Sequence, residues 1–186
     1  VGWENGPVPS KYAGGRDVAF FRDTVAWLRE NYCVDEGHLF ATGQSWGGDF
    51  SNLCGCILGD LFNAIVPVAA NGDYYLPRSG TTPSTCSGGP KPFWGMHGKR
   101  DPSLALNPLG YQYRDYWLAQ NGCDKANPTR LTIAGASADD ECWSYPGCAQ
   151  PTRWCSYNSA SGHQVPRAYY ARETVAFFQG LLPPRP

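Results

Sequence analysis

The sequence predicts an α/β protein with a mostly parallel sheet covered by helices. Three observations predict it. Short apolar runs alternate with segments whose apolar residues recur at helical spacing, the pattern of strands joined by crossover helices. The pentapeptide Gly43-Gln44-Ser45-Trp46-Gly47 stands between one such run and one such helix, where glycine permits a sharp turn. The chain has 186 residues, 42% of them hydrophobic and 17% charged. That length and composition suit one domain with a sizeable core.

The elements follow in chain order. Gly, Pro and Trp fill residues 1–14, which read as a loop. From Arg16 to Asn31 the residues Val18, Phe21, Val25 and Leu28 recur at helical spacing. Asp35-Glu36-Gly37 is a turn, 38–42 a strand, and 48–58 a helix. Residues 64–68 read as a second strand and 70–91 as a Gly/Pro/Ser/Thr-rich loop. Phe93-Trp94-Gly95-Met96 is a third strand, ending in His97-Gly98. The segment 109–120 is a helix with Tyr113, Tyr116 and Trp117 on one face, and 130–134 is a fourth strand. A cysteine-rich stretch at 141–155 and a helix at 166–179 complete the order.

Composition excludes several function classes. A net charge of −1 gives no field for nucleic acid or an anionic membrane. No apolar run approaches the length of a membrane span. The eight cysteines form no C-x-x-C pairs, so zinc is not expected. That many cysteines in a globular chain point to an oxidising compartment and a secreted protein with several disulfides. No organic cofactor is implied.

A G-x-S-x-G turn between strand and helix exposes a serine hydroxyl at the carboxyl end of a sheet, as a nucleophile elbow does. Serine is a weak nucleophile and needs a base, usually a histidine held by a carboxylate. Of three histidines, His38 sits at the wrong end of its strand. His97 precedes every plausible acid except those nearest Ser45. His163, in a loop before the last helix, is the expected base. Asp101 follows the third strand and is the preferred acid, with Asp139, Asp140 and Glu141 as rivals. His97 is read as shaping the Asp101 loop. The backbone N–H of Trp46 is one expected donor to an oxyanion. The second normally comes from an earlier strand, and no strand pattern precedes residue 38. The sequence therefore reads as the carboxyl part of a larger domain. Its elbow strand would be an open sheet edge beside partly uncovered helices at 16–31 and 48–58. A missing amino-terminal segment or another chain would cover that edge. Loss of one oxyanion donor would cost on the order of 10²-fold in rate.

Several stretches carry a family likeness: Gly14-Gly15-Arg16-Asp17-Val18-Ala19-Phe20, Asn31-Tyr32-Cys33-Val34-Asp35, and Ala41-Thr42-Gly43-Gln44-Ser45-Trp46-Gly47-Gly48. It continues through Gly55-Cys56-Ile57-Leu58-Gly59-Asp60, His97-Gly98-Lys99-Arg100-Asp101, Asn121-Gly122-Cys123, Trp154-Cys155 and Gly162-His163. In these the chain resembles the secreted esterases of carbohydrate esterase family 1, notably feruloyl esterases and their polyhydroxybutyrate-depolymerase-like relatives, of the α/β-hydrolase superfamily. The resemblance implies Ser45, Asp101 and His163 as a triad. It also implies cleavage of feruloyl or related esters on plant cell-wall polysaccharide, or of a small phenolic ester. Acetylxylan esterase and polyester depolymerase are the alternatives, and a non-catalytic aromatic- or carbohydrate-binding remnant is a further one. The chain departs from the family in lacking its early strands and His-Gly oxyanion loop, and in placing bulky Trp46 after the serine. Gln44, Trp46, Tyr74 and Tyr75 are candidate substrate contacts, the tyrosines by stacking. The likeness also implies disulfides Cys142–Cys148 and Cys123–Cys155. Cys86 is expected to join Cys54 or Cys56, and Cys33 to be free.

Overall fold

A computed structural model describes residues 3, 16–72, 76, 78–79, 82–83, 86–158 and 162–182. Helix α1 (Arg16–Asn31) leads through a 3-10 turn to strand β1 (Phe40–Gln44), helix α2 (Trp46–Ile57) and strand β2 (Ala64–Val68). A two-residue ladder pairs β3 (Arg78–Ser79) with β4 (Thr82–Pro83). Strand β5 (Phe93–Gly98), a π-helical turn at Leu106–Gly110 and helix α3 (Tyr111–Gln120) follow. Then come β6 (Thr129–Arg130), β7 (Glu141–Ser144), β8 (Thr152–Tyr157) and α4 (Tyr170–Gln179).

The main sheet has the order β1-β2-β5-β8-β7-β6. β1, β2, β5 and β8 are parallel, and β7 and β6 are antiparallel additions. Four parallel strands match the number expected, but the fourth is 152–157, not 130–134. The earlier stretch pairs over only Thr129 and Arg130, at the far edge. Its Leu131 and Ile133 pack on the core without extending the ladder, and Gly135 turns the chain at φ 80°. The strand that precedes His163 was hidden in the cysteine-rich stretch.

Alternation along the strands divides the core into two faces. Ile65, Phe93 and Trp154 face Tyr113 and Trp117 of α3. Val66, Val68, Trp94, Met96 and Tyr157 face Phe177 of α4. Helix α2 fits tightly because it is nearly all small or apolar, and it is buried from Gly48 to Cys56. Val18 and Val25 of α1 pack against its Phe50 and Leu53. The expected exposure therefore falls on α1, not α2. Phe20 and Trp27 lie on the outer side of α1, 55% and 52% exposed. Within the described residues β1 is the edge of the sheet.

The cysteine pairings differ from those implied by resemblance. Cys56 joins Cys86, as one expected option had it. Cys142 joins Cys155, and Cys123 joins Cys148. The reason is register: Cys142 and Cys155 face each other across the β7–β8 ladder. Cys123, just past α3, is left to meet Cys148 in the hairpin loop. Cys33 is exposed with a free thiol; Cys54 is buried, and burial pushes its thiol up to about 12.

Candidate active site

Strand β1 ends at Gln44 and α2 begins at Trp46, so Ser45 alone makes the turn. Its φ of 58° and ψ of −122° lie where non-glycine residues sit only under constraint, at a cost on the order of 1–3 kcal/mol. Two backbone hydrogen bonds hold it there. The Ser45 N–H donates to the Val68 carbonyl at 2.9 Å, and the Ser45 carbonyl accepts from Asp49 N–H at 3.0 Å. A Cβ on Gly43 would lie 2.5 Å from the Gly47 carbonyl, and one on Gly48 would lie 2.6 Å from the Val68 oxygen. A Cβ on Gly47 would meet nothing within 4 Å. The turn thus needs Gly43 and Gly48. The pentapeptide pattern alone points to Gly43 and Gly47, and it misses the approach of α2 to β2 that fixes Gly48.

The loop after β5 carries Asp101, and the loop after β8 carries His163. β5 and β8 are parallel neighbours in register from Phe93↔Thr152 to Gly98↔Tyr157, so both loops leave the same sheet edge. Glycines let them touch. A Cβ on Gly98 would overlap the Gly162 carbonyl, and Gly162, at φ 69°, lies against the Arg100 carbonyl and the Asp101 Cα. His163 is thereby held beside Asp101. Its Nδ1 lies 2.7 Å from Asp101 Oδ2, and its Nε2 lies 2.9 Å from Ser45 Oγ. With Nδ1–H donating to the carboxylate, Nε2 is left to accept from the serine hydroxyl. The Asp101 side chain is fully buried and that of His163 is 24% exposed. The carboxyl group is therefore shielded from water while the imidazole remains reachable. The other oxygen, Oδ1 of Asp101, accepts from Ser103 N–H at 2.9 Å and Leu104 N–H at 2.8 Å.

The remaining candidates fall elsewhere. Asp140 accepts from the Ser137 hydroxyl at 2.7 Å and Asn158 N–H at 2.8 Å, while Glu141 pairs with Lys99 at 2.9 Å. Asp139 lies beside the Asn158 amide. His38 pairs with Asp35 at the start of β1. The Gln44 amide donates to the His163 carbonyl at 2.6 Å, tying the His163 loop to β1. Trp46, 52% exposed, stands next to the serine. Tyr74 and Tyr75 lie outside the described residues.

Two buried ionisable groups flank the site. His97 donates Nε2–H to the Leu104 carbonyl at 2.7 Å and lies 3.6 Å from Asp101. Burial lowers its pKa, which favours the neutral ring. Its loop-shaping place agrees with the sequence reading. Asp49, 4% exposed, was not anticipated. Its Oδ1 accepts from Asn71 N–H at 2.6 Å, joining α2 to the loop after β2. Burial raises its pKa to about 7, against the pull of the Asn71 bond and of His163. A lone acid in an otherwise small and apolar helix was the available signal. Among the described residues no group of three or more His, Cys, Asp or Glu side chains is placed to hold a metal.

Comparison with known proteins agrees with this architecture. No protein-family model matches the chain. Feruloyl esterase C of Emericella nidulans is 31% identical over 166 residues, covering 88% of this chain and 53% of that protein. Feruloyl esterase D of Neurospora crassa is 30% identical over 153 residues, covering 81% of this chain and 46% of that protein. The chain thus spans about half the length of the curated relatives it matches. In structure it resembles the acetyl xylan esterase from Aspergillus awamori, with a TM-score of 0.65, 15% identity, and coverage of 95% of this chain and 70% of that one. A thermostable esterase gives a TM-score of 0.57 at 14% identity, covering 89% of this chain and 36% of the other. The fold, with a serine at the strand-to-helix turn, is the α/β-hydrolase fold. By sequence the chain is similar to the feruloyl esterases C and D. No helix among the described residues is long and apolar enough to cross a membrane.

Proposed function

We propose that the chain is the serine-bearing part of a secreted esterase that hydrolyses acyl esters, foremost feruloyl esters, on plant cell-wall polysaccharide. The observation that carries the reading is the continuous Ser45–His163–Asp101 hydrogen-bonded series, with 2.9 Å and 2.7 Å links. Ser45 Oγ attacks the ester carbonyl carbon while His163 Nε2 takes its proton. Asp101 stabilises the imidazolium through Nδ1–H. The tetrahedral oxyanion takes a hydrogen bond from the Trp46 N–H, at the start of α2, where the helix dipole favours negative charge. The imidazolium then protonates the leaving alcohol, and water repeats the sequence on the acyl-serine. No second oxyanion donor is assigned among the described residues. Three disulfides support an oxidising compartment and hence secretion.

The test is ferulate release from methyl ferulate, by this chain and by a longer polypeptide containing it. Ser45→Ala is expected to lower kcat by at least about 10³-fold with unchanged circular dichroism. Turnover that survives the substitution would sink the reading. The likeness to an acetyl xylan esterase keeps acetyl esters as the second reading. The ratio of ferulate to acetate released from xylan carrying both groups decides between them.

A further inference from the structure

A cleft of about 220 Å³ lies over β7 and β8. Its composition follows from the register. Glu141↔Ser156 and Trp143↔Trp154 are opposed pairs of an antiparallel ladder, so all four side chains share one face of the sheet. The intervening Cys142 and Cys155 point to the other face, where their disulfide closes. On the shared face the ladder meets the beginning of α3, which contributes Tyr111 and Arg114 to the opposite wall. The cleft is therefore walled by flat rings, with Ser156 and Glu141 towards the sheet edge that bears Ser45 and His163.

The charges around it are already engaged. Arg114 pairs with Asp115 at 2.7 Å, Lys125 pairs with the same carboxylate at 2.5 Å, and Glu141 pairs with Lys99 at 2.9 Å. Arg114 also lies over the Tyr111 ring, 4.2 Å from its centroid. An anionic ligand would have to compete with these carboxylates. By contrast, hydroxyl groups can bond to paired charges without displacing them. Trp154, one of the lining residues, has a buried indole N–H with no hydrogen-bond partner among the described residues, an arrangement that costs on the order of 1–3 kcal/mol unless something accepts from it. Trp154 and Tyr145 are buried and Arg114 covers the Tyr111 ring, so the part-exposed Trp143 ring, bordered by neutralised polar groups, is the face that suits a sugar ring, whose C–H face is apolar and whose rim carries hydroxyls.

We propose that this cleft binds a neutral glycosyl residue of a polysaccharide chain, at a site separate from the ester-cleaving centre. Three to four strand spacings separate β1 from the β8–β7 pair, about 15–19 Å. A polysaccharide lying across the sheet's carboxyl edge can occupy both places. The cleft holds the chain, and the reactive ester is presented to the elbow by effective concentration rather than by a new contact at the serine.

Titration calorimetry of the 186-residue chain with xylohexaose tests this, with the glucuronic-acid-substituted oligosaccharide and free ferulate as competitors. Saturable binding of the neutral oligosaccharide is expected, at least 10-fold weaker in Trp143→Ala, with hydrolysis of methyl ferulate unaltered. Lys125→Ala, at an exposed position, is expected to weaken binding about threefold without risk to folding. Binding that both variants leave unchanged would overturn the assignment, as would a preference for ferulate or for the acidic oligosaccharide. Because binding is read without turnover and can be repeated in Ser45→Ala, a failed esterase reading and a failed sugar site give different results.

Discussion

At the scale of single residues, the chain places a carboxyl where burial opposes its ionisation. Asp49 is enclosed between α2 and the loop after β2, bonded to Asn71 N–H, and its pKa is raised to about 7, chiefly by burial. In the unfolded chain it titrates near 4. Between those values the folded state binds more protons than the unfolded one, so stability falls as pH rises. The favourable contribution is complete below the unfolded pKa and is lost as pH passes through about 7. Asp49→Asn keeps the acceptor for Asn71 and removes the titration. It is expected to be more stable than the parent at pH 8, by on the order of 2–4 kcal/mol, with no difference near pH 4. Thermal melting of both proteins at the two pH values checks this. Equal melting temperatures at pH 8 would show that the carboxylate is well solvated.

At the scale of elements, the β7–β8 hairpin is stapled where its ladder is in register. Cys142 and Cys155 are 13 residues apart and directly opposed. The hairpin supports β8, and β8 in turn delivers the His163 loop. Closing a loop of that length restricts the unfolded chain by roughly 3 kcal/mol. The Cys142→Ser/Cys155→Ser double variant is expected to lose 2–4 kcal/mol in urea unfolding. Cys33→Ser, at an exposed free thiol, should lose nothing measurable. A double variant as stable as the parent would mean that the ladder holds register without its staple.

At the scale of the whole molecule, the sheet is covered unevenly. Beyond β1 lies a hollow of about 270 Å³ lined by Phe21, Phe40, Phe50 and Phe62, into which Trp3 leans, its ring 5.1 Å from that of Phe50. The outer side of α1 adds the exposed Phe20 and Trp27. A parallel edge strand with apolar surroundings and no charge along Phe40–Gln44 is a template for pairing with another chain. The 186-residue chain is expected to associate with rising concentration, seen as an increasing weight-average mass by light scattering. A charged residue in the edge, as in Ala41→Lys, should reduce the association. A concentration-independent monomer mass would contradict the reading of this edge.

The sequence alone determined the order of elements and the chemistry available at their ends. Helical spacing marked α1, and the apolar run Ala64–Val68 marked a strand, because such periodicities are local consequences of which face is buried. The serine turn was legible because its Gly43 requirement is local, and the proposed base His163 and acid Asp101 because strand-to-loop order restricted where such groups could stand. What the tertiary structure decided was which distant pieces touch. The strand before His163 lay within a cysteine-rich stretch, and only its pairing with β5 distinguishes it from the weaker run at 130–134. The disulfides followed strand register rather than cysteine spacing, since opposed residues in a ladder are neighbours whatever their separation in the chain. Gly48, Gly98 and Gly162 acquired their meaning in the same way. Each is small because another backbone segment passes within contact distance, and a linear sequence records the missing side chain but not the neighbour that forbids it.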